Sequence, residues 1–262
     1  MNGVGIVAAL AAEVHHLGPA TPLDPTTHLE PAAPFGRRTR WPGPLASLAD
    51  GTLLVVSGIG CAAAARGARA LIEAGATSLA SWGMAGGLDP ALTSGTIFLP
   101  GEVISPDGTA LPTARDWRER VGATIAVHRP VAGGKLLTSP QAIGSVADKA
   151  TAFSRTGAAA VDMESLAVAK VARSHGIPFI AVRVIVDSAA DVLPRAVMTA
   201  SVGGYLRIWR LIGALALSPS DLASLMRLAR GYRAASRSFD VIAHAGLPGP
   251  HAVPLASDAR RT

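Results

Sequence analysis

Residues 158–191, AAAVDMESLAVAKVARSHGIPFIAVRVIVDSAAD, contain a strand, a helix and a second strand in close succession. The apolar runs at 158–161 and 178–186 are typical of buried strands, and the helical pattern between them, at 163–175, ends at Gly176. Strands that alternate with helices and are apolar throughout predict a largely parallel sheet that is covered on both faces.

The same alternation continues along the rest of the chain. Further strands are predicted at 3–10, 52–60, 77–89, 95–104 and 123–131, and further helices at 61–75 and 140–153. We therefore expect an α/β fold with three α/β/α layers, a mixed and largely parallel central sheet, and additional C-terminal helices.

A single domain accounts for this pattern. Residues 1–200 are predicted to form the α/β domain, residues 201–244 a C-terminal helical extension of the same domain, and residues 245–262 a flexible tail. A linker is expected near 192–204, just before the arginine-rich segment.

The composition argues against several classes of protein. With 49% hydrophobic residues the chain can bury a sizeable core, and only 4% are aromatic, which argues against a surface that stacks on nucleic-acid bases. Cys61 is the only cysteine, which excludes an intrachain disulfide and a cysteine-based zinc site and fits a reducing cytoplasm. No signal peptide is recognised, and no apolar run reaches the roughly 18–20 residues that span a bilayer. We expect a cytoplasmic protein, or at most one peripheral at the inner membrane surface.

Polar residues and glycines gather where the predicted strands end. Four groups follow the first, second, third and last predicted strands, respectively: Glu13, 57–60, 83–87 and Asp187. Because ligands of open α/β sheets bind at the carboxyl ends of the strands, we expect a polar site there. Glu164 adds to this set, because it lies among small apolar residues in AVDMESLAVA, where a buried carboxylate needs a bonding partner.

Taken singly, these residues also have ordinary structural roles. The glycines of SGIG and GMAGG suit tight turns, Glu13 suits the first turn of a helix, and Asp187 suits a cap of the next turn. Neither GxGxxG, GxxxxGKS/T nor GxSxG occurs at these positions, so nicotinamide, ATP and serine-hydrolase chemistry are not supported. His15 and His16 lack a neighbouring cysteine and the HExxH spacing, so no metal site is predicted.

Four motifs in a fixed order indicate a family. The motifs GIVAALAAEV, VVSGIG, SWGMAGGLDPALTSGTIFLP and the unit at 158–191, with its MES and its terminal Asp187, resemble the nucleoside phosphorylase and nucleosidase superfamily. This superfamily includes purine nucleoside phosphorylases and methylthioadenosine/S-adenosylhomocysteine nucleosidase. The arginine-rich and leucine-rich segment after residue 191 further resembles a hopanoid-associated branch, whose members release adenine from adenosylhopane.

The resemblance implies a nucleoside phosphorylase-like fold and cleavage of the bond between a purine and ribose. Asp187 matches the acid that protonates the purine, Glu164 the carboxylate that holds the ribose hydroxyls, and Glu13 the residue that activates water in nucleosidases. Further substrate contacts are expected from Met163, Gly86, Ala85, Met84, Ser57 and Gly58. No cofactor or metal is implied, but inorganic phosphate is an allowed co-substrate. The expected partners are a small-molecule nucleoside, free or lipid-linked, and further copies of the chain in a homo-oligomer, and not nucleic acid.

Three features depart from the family pattern. Val186 stands before the acid where nucleosidases commonly have serine, and Ala142 stands where relatives often have a base-stacking phenylalanine. The cluster ASWGMAGG offers Ser81 but no arginine for phosphate, while the arginines within 37–40 are not placed by the motifs. Phosphorolysis and hydrolysis therefore both stay open.

Two further functions stay open at this point. One is a soluble purine nucleoside phosphorylase or a methylthioadenosine/S-adenosylhomocysteine-type nucleosidase, and the other is a non-catalytic nucleoside-binding or lipid-binding module. The combination of Glu13, Glu164 and Asp187 favours an enzyme.

The C-terminal segment also has two interpretations. It contains an apolar row at helical spacing, formed by Leu222, Leu225, Met226 and Ala229. With arginines on the opposite side, this row fits either contact with a membrane surface or ordinary packing on the domain.

Overall fold

The hub of the sheet is a ten-residue strand, Ser78–Gly87, in the computed structural model, which describes residues 3–23, 45–193 and 221–250. Within those ranges the strands are β1 (Val4–Ala8), β2 (Ala20–Pro22), β3 (Leu45–Leu48), β4 (Leu53–Val56), β5 (Ser78–Gly87), β6 (Ile97–Phe98), β7 (Glu102–Ile104), β8 (Ala110–Pro112), β9 (Val131–Ala132), β10 (Lys135–Thr138), β11 (Ala158–Asp162) and β12 (Phe179–Asp187). The helices are α1 (Ala11–Val14), α2 (Cys61–Glu73), α3 (Arg115–Ala126), α4 (Val146–Thr156), α5 (Ser165–Ser174) and α6 (Asp221–Ala245), with a 3₁₀ turn at His15–Leu17.

The described strands form one mixed sheet, in the order β2-β3-β4-β1-β5-β11-β10-β7-β8, with β12 pairing β5 and β6, and β9 pairing β6. The pairs β1–β4, β1–β5, β5–β12, β7–β10, β10–β11 and β6–β9 are parallel. The pairs β2–β3, β3–β4, β7–β8, β5–β11 and β6–β12 are antiparallel. The predicted mixed sheet of an α/β fold is confirmed.

Three strands converge on the glycine end of β5. β1 pairs with residues 78–82 of β5, and β11 pairs with Gly86 and Gly87. β12 runs along residues 79–86 of β5. The segments that follow β1, β11 and β12 are therefore brought to one edge of the sheet, as the strand pattern predicted.

Helices cover both faces of the sheet and give it three layers. Along β12, Phe179, Ala181 and Ile185 belong to the apolar cluster that contains the buried faces of α2 and α5. Ile180, Val182 and Val184 belong to the opposite cluster, with the buried faces of α3 and α6. Alternate residues of a strand point to opposite faces, so an apolar run such as FIAVRVIV fits a strand that is buried on both sides.

Three predicted elements are corrected by the structure. The strand predicted at 123–131 is wrong, because residues 115–126 form α3, in which Trp117, Val121 and Ile125 are buried at a spacing of four residues. The strand predicted at 95–104 is divided into β6 and β7 at Pro100–Gly101. The helix predicted at 140–153 begins only at Val146, because Ser145 is its N-cap and accepts the Asp148 N–H at 3.0 Å.

The C-terminal helix α6 packs on the domain through residues 231–242. Among its residues whose side chains are described, Gly231, Ala235, Ser238, Phe239 and Ile242 are buried, whereas Met226 and Ala229 of the apolar row are exposed. The predicted linker at 192–204 lies outside the described residues except for 192–193, and the tail predicted at 245–262 is described only as far as residue 250. No helix among the described residues is both long enough and apolar enough to cross a membrane.

Candidate active site

The first of three carboxylates at the carboxyl end of β5 is Glu13, which is buried in α1. Its Oε2 accepts the backbone N–H groups of Ala9 (3.1 Å) and Leu10 (2.9 Å), and its Oε1 accepts the N–H of Met84 (3.0 Å). Burial raises the pKa of Glu13 above its usual value, although these bonds and the charge of Arg183 oppose the rise. A carboxylate that is held at both oxygens and has a raised pKa is a stronger base than an exposed carboxylate.

Gly83 makes room for the Glu13 carboxylate. Its φ is +156°, and a Cβ at this position would lie 2.7 Å from Glu13 Oε1 and 3.0 Å from Cδ. The next residue towards the N-terminus, Trp82, donates its indole N–H to the backbone oxygen of Glu13 at 2.7 Å. The first glycine of GMAGG is therefore needed because it leaves space for the Glu13 side chain, and not because it forms a turn.

Glu164 lies directly after β11, at the N-terminus of α5. Its Oε1 accepts the Gly60 N–H at 2.7 Å, and its Oε2 accepts the Met163 N–H at 3.2 Å. The residue is partly exposed, but its carboxylate is buried, and this burial, reinforced by the charge of Asp162, raises the pKa of Glu164 to about 7. Gly60 has a φ of +97°, so the predicted SGIG turn does present a backbone donor to an anion, which is the Glu164 carboxylate.

A buried arginine lies beneath these two acids, and sequence reasoning missed it. Arg183 donates from Nε and Nη2 to Asp162 Oδ2 at 3.0 and 2.7 Å. Its Nη2 also reaches the hydroxyls of Ser81 (2.6 Å) and Ser165 (2.8 Å), and its Nη1 reaches the Val182 carbonyl (3.2 Å). The guanidinium is thus held by protein acceptors rather than offered to a ligand. The available signal was a single charge inside the apolar run FIAVRVIV.

Asp187 ends β12 immediately after a bulge. The register between β12 and β5 shifts between Ile185 and Asp187, and the carbonyl of Val186 accepts the Ser94 hydroxyl at 3.0 Å. A bulge redirects the next side chain, and here the Asp187 carboxyl lies over Gly86, with Oδ1 3.4 Å from the position of an added Cβ. Val186 therefore contributes a backbone that is fixed by a distant serine.

Lys149 of α4 pairs with this acid, and sequence reasoning missed it too. Its side chain is 1% exposed, and its ammonium donates to Asp187 Oδ2, to the Ser188 carbonyl (2.7 Å) and to the Asp191 carbonyl (2.9 Å). Burial raises the pKa of Asp187 above its usual value, and the ammonium partly opposes this rise. The only hint in the sequence is that Lys149 is one of three lysines among 24 basic residues.

β5 sets the spacing between the base and the acid. Met84 binds Glu13, and Gly86 lies under Asp187; two residues along a strand share a face and are about 7 Å apart. Glu164 belongs to the same group through its neighbour Ser165, whose hydroxyl donates to the Ser81 hydroxyl of β5 at 3.2 Å. The structure thus brings the three predicted carboxylates together around one end of β5.

The other predicted contacts surround this edge. Met163 and Met84 are partly exposed beside it, and Ala85 is buried between Met84 and Gly86. The Ser57 hydroxyl donates to the carbonyls of Ala8 (3.2 Å) and Gly58 (3.0 Å), where Gly58 has a φ of +88°. Ser57 and Gly58 therefore shape the turn that carries the donor to Glu164. Ala142 is partly buried in the loop before α4, and the arginines within 37–40 lie outside the described residues.

The histidines bind protein groups next to this site. His16 Nδ1 lies 2.5 Å from Asp240 Oδ1, and His16 Nε2 lies 3.2 Å from the Ser236 hydroxyl, which joins the turn after α1 to α6. His15 Nδ1 contacts the Ala12 carbonyl at 2.7 Å. In residues 3–23, 45–193 and 221–250, no three His, Cys, Asp or Glu side chains are grouped so that they could hold a metal ion.

The carboxyl groups of Asp187, Glu13 and Glu164 can assist the departure of a leaving group from a polar ring. A protonated Asp187 can donate a proton at one end, and Glu13 can accept one at the other. Carboxylates around the reacting centre also stabilise positive charge that develops on it. The arrangement fits a dissociative displacement in which a base leaves a sugar.

Comparison with family models matches residues 4–202 to the phosphorylase superfamily. Among solved structures, the chain is similar to a Francisella philomiragia protein assigned as a 5′-methylthioadenosine/S-adenosylhomocysteine nucleosidase, with 17% identity, 94% of this chain and 98% of that chain covered, and a TM-score of 0.67. It is also similar to the corresponding Neisseria meningitidis nucleosidase in complex with methylthio-immucillin-A (17% identity, 92% and 97% covered, TM-score 0.64). A third similar structure is Helicobacter pylori futalosine hydrolase (18%, 87% and 97%, TM-score 0.57). None of the curated proteins matches the sequence. At these identities the structural matches establish the fold.

Proposed function

The chain belongs to the phosphorylase superfamily and is an enzyme that cleaves nucleoside N-glycosidic bonds, and we propose that it does so by hydrolysis, with a purine as the leaving group. The alternative within the superfamily is phosphorolysis, in which inorganic phosphate attacks the sugar. The environment of Glu13 favours water.

The observation that carries this proposal is that the Glu13 carboxylate accepts three backbone N–H groups. The N–H groups of Ala9, Leu10 and Met84 all bind the Glu13 carboxylate, so they are not free for the oxygens of a phosphate. The carboxylate also adds negative charge, which repels a phosphate anion. Arg183, the buried cation below, is bound by Asp162.

We assign the roles in the reaction as follows. Asp187 gives a proton to the purine, which lets the base leave with the electron pair of the glycosidic bond. Glu164 accepts hydrogen bonds from the ribose hydroxyls and, with Glu13, stabilises the positive charge on the sugar. Glu13 accepts a proton from the attacking water.

Other residues at the same edge complete the proposed substrate contacts. Met163 and Met84 pack against the sugar, Gly86 and Ala85 lie beneath the substrate, and Ser57 and Gly58 border it. The reaction needs no cofactor in this proposal, and water is the only co-substrate.

For the substrate, we propose adenosine that carries a large apolar 5′ group, with adenosylhopane as the specific compound. The support is the sequence resemblance of the C-terminal segment and the position of α6. Gly231 of α6 lies against the carbonyl of Val186, the residue before Asp187, and Arg227 Nε lies 3.7 Å from Asp191 Oδ1. A helix beside the acid that exposes Met226 and Tyr232 suits a substrate that extends out of the site.

A second candidate is a small-molecule methylthioadenosine/S-adenosylhomocysteine-type nucleosidase. The observation in its favour is that the similar structures from Francisella philomiragia and Neisseria meningitidis carry that name. In either case we expect a homo-oligomer, which size-exclusion chromatography with light scattering would measure.

The function is tested by purine release from a panel of nucleosides, with and without phosphate. The panel contains detergent-solubilised adenosylhopane, methylthioadenosine, S-adenosylhomocysteine and inosine. Adenine release from adenosylhopane without phosphate is the expected result. Cleavage of only the small nucleosides would transfer the assignment to the second candidate, and strict dependence on phosphate would overturn hydrolysis.

A further inference from the structure

Lys149 is a charged residue at a buried position, where an uncharged side chain would avoid the free-energy penalty of desolvating a charge. It is the only buried residue of α4 and is 1% exposed. An ammonium that leaves water loses its hydration, so acceptors in the protein must replace that hydration. All three of its donors are used, on Asp187 Oδ2 and on the carbonyls of Ser188 and Asp191. Three acceptors around one point suit an ammonium better than the planar guanidinium that this chain uses elsewhere.

The same contacts distinguish the two oxygens of Asp187. Lys149 occupies Oδ2, whereas no other described residue donates a hydrogen bond to Oδ1, which lies over Gly86 at the end of β5. Asp191 closes the loop from the other side, because its Oδ2 accepts both the N–H (2.9 Å) and the hydroxyl (2.7 Å) of Ser188. Lys149 therefore fixes both the acid and the loop that follows it.

We infer that Lys149 is a positioning residue for the proton transfer: it holds Asp187 with Oδ1 towards the base and stabilises the carboxylate that the transfer leaves behind. This inference rests on the proposed function. In the step itself, the O–H bond at Oδ1 breaks and an N–H bond forms on the departing purine, which takes the electron pair of the glycosidic bond. Glu13 takes one proton from water, and returning that proton to Asp187 through solvent restores the enzyme.

The charges around Asp187 determine the sign of the effect. Burial raises the pKa of Asp187 and the Lys149 ammonium lowers it, so the ammonium makes Asp187 a stronger acid than burial alone would. Among the residues that the structure describes, the other charged groups that face this pair are Asp191, in the loop after β12, and Arg227 of α6, which lies beside Asp191. Both are unchanged when Lys149 is replaced.

The test is the pH profile of kcat/KM for purine release by wild type, Lys149→Met, Lys149→Gln and Lys149→Arg. The informative part of the profile is the limb on which kcat/KM falls as pH rises and Asp187 loses its proton. Asp187→Asn should abolish this limb. Removing the positive charge should move this limb upward by about one pH unit or more and lower the maximal rate about tenfold or more. Lys149→Arg keeps the charge, so its limb should stay near the wild-type position even if the altered shape slows turnover.

Loss of structure is separated from this effect in two ways. Circular dichroism and thermal unfolding show which neutral variants are folded. Lys149→Met and Lys149→Gln are two alternative neutral substitutions, and one folded variant is enough for the test. In the Asp187→Asn background, Lys149→Met should cause no further loss, because Lys149 acts through Asp187.

The outcomes separate the two proposals. The role of Lys149 is refuted if a folded neutral variant shows the pH limb of kcat/KM at its wild-type position. It is also refuted if Lys149→Met lowers the rate as much in the Asp187→Asn background as in wild type. In both cases purine release by wild type leaves the proposed function standing. A wild-type protein that releases no purine from any nucleoside refutes the proposed function and this inference with it.

Discussion

At the scale of single residues, the site is a set of carboxylates that burial makes reluctant to ionise. The pKa values of Glu13, Glu164 and Asp187 are all raised, and in each case burial is the largest cause. Each acid is nevertheless hydrogen-bonded, by backbone N–H groups at Glu13 and Glu164 and by Lys149 at Asp187. Such acids keep a proton to higher pH than exposed carboxyl groups do, and ionising them in the folded protein has a cost in stability.

Glu164→Gln tests this cost. Burial raises the pKa of Glu164 from 4.5 to about 7, so the folded state binds this proton more tightly than the unfolded state. Wild type should therefore lose stability as pH rises from about 5 to 8. The variant, whose amide oxygen can still accept the Gly60 N–H, should lose less, because only the raised pKa values of Glu13 and Asp187 still contribute there. We expect the variant to gain about 1–3 kcal/mol relative to wild type over this interval. Urea unfolding without substrate at both pH values measures it.

The control for this prediction is Glu119→Gln. Glu119 is exposed, and its ion pair with Arg115 lowers the pKa of its carboxyl, which is the opposite sign. The control should show no gain with rising pH. Parallel pH dependence in wild type and Glu164→Gln would show that the Glu164 carboxylate is not destabilised by burial.

At the scale of elements, α6 is seated on the strand that carries the acid. A Cβ added at Gly231 would lie 1.9 Å from the carbonyl oxygen of Val186, so the helix and the bulge can approach only through glycine. Glycine inside a helix costs roughly 0.5–1 kcal/mol relative to alanine, which the close packing offsets. The position of α6 and the direction of Asp187 are thus coupled.

Gly231→Ala should displace either α6 or the bulge before Asp187. We expect a loss of about 1–3 kcal/mol in the free energy of unfolding and a fall in kcat of about tenfold or more. The matched control is Gly122→Ala in α3, where an added Cβ would meet only Leu99 Cδ1 at 3.5 Å. That change should stabilise the protein by about 0.5–1 kcal/mol and leave kcat unchanged. Equal effects of the two substitutions would contradict the coupling.

Elements with a single strong pattern were predicted well from sequence. The apolar runs that became β11 and β12 and the helix between them were placed within about two residues, because burial on both faces leaves no polar position to confuse the period. The strand predicted at 123–131 was wrong because the apolar, β-branched stretch at its start resembles a strand, whereas it is the last turn of α3, which begins at the charged residues from Arg115 onward. For the site, the three carboxylates were predicted by position, through the resemblance.

The partners of those carboxylates were not predicted. Arg183 lies inside an apolar strand and Lys149 inside a helix, and neither is close in sequence to the acid that it binds. Only the tertiary fold brings each of them to the site. The close contacts at Gly83 and Gly231 were not predicted either, because a close approach of another segment leaves no local signal in the sequence.

At the scale of the whole molecule, the charge distribution bears on where the enzyme meets its substrate. The formal net charge is +6, and α6 exposes Arg227, Arg230, Arg233 and Arg237 next to the exposed Met226. If the substrate is lipid-linked, this helix is our proposed contact with an anionic membrane surface.

The double variant Arg230→Glu and Arg233→Glu tests this contact. Each basic residue near an anionic surface contributes about 1 kcal/mol, so reversing two should lower binding to phosphatidylglycerol-containing vesicles at least tenfold in co-sedimentation. Arg66→Glu with Arg69→Glu, on exposed positions of α2, makes the same change in net charge elsewhere. Equal loss in both double variants would attribute binding to net charge and contradict a role for α6.

The central claim is that water attacks the sugar, and the origin of one oxygen atom tests it most directly. The measurement is mass analysis of the sugar released from adenosylhopane, or from the best nucleoside of the panel, in ¹⁸O-labelled water containing phosphate. We predict a free sugar that carries one ¹⁸O atom at the anomeric carbon before exchange, formed at a rate that does not depend on phosphate. A sugar 1-phosphate without label from water, formed only when phosphate is present, would contradict the role of Glu13 and identify the enzyme as a phosphorylase.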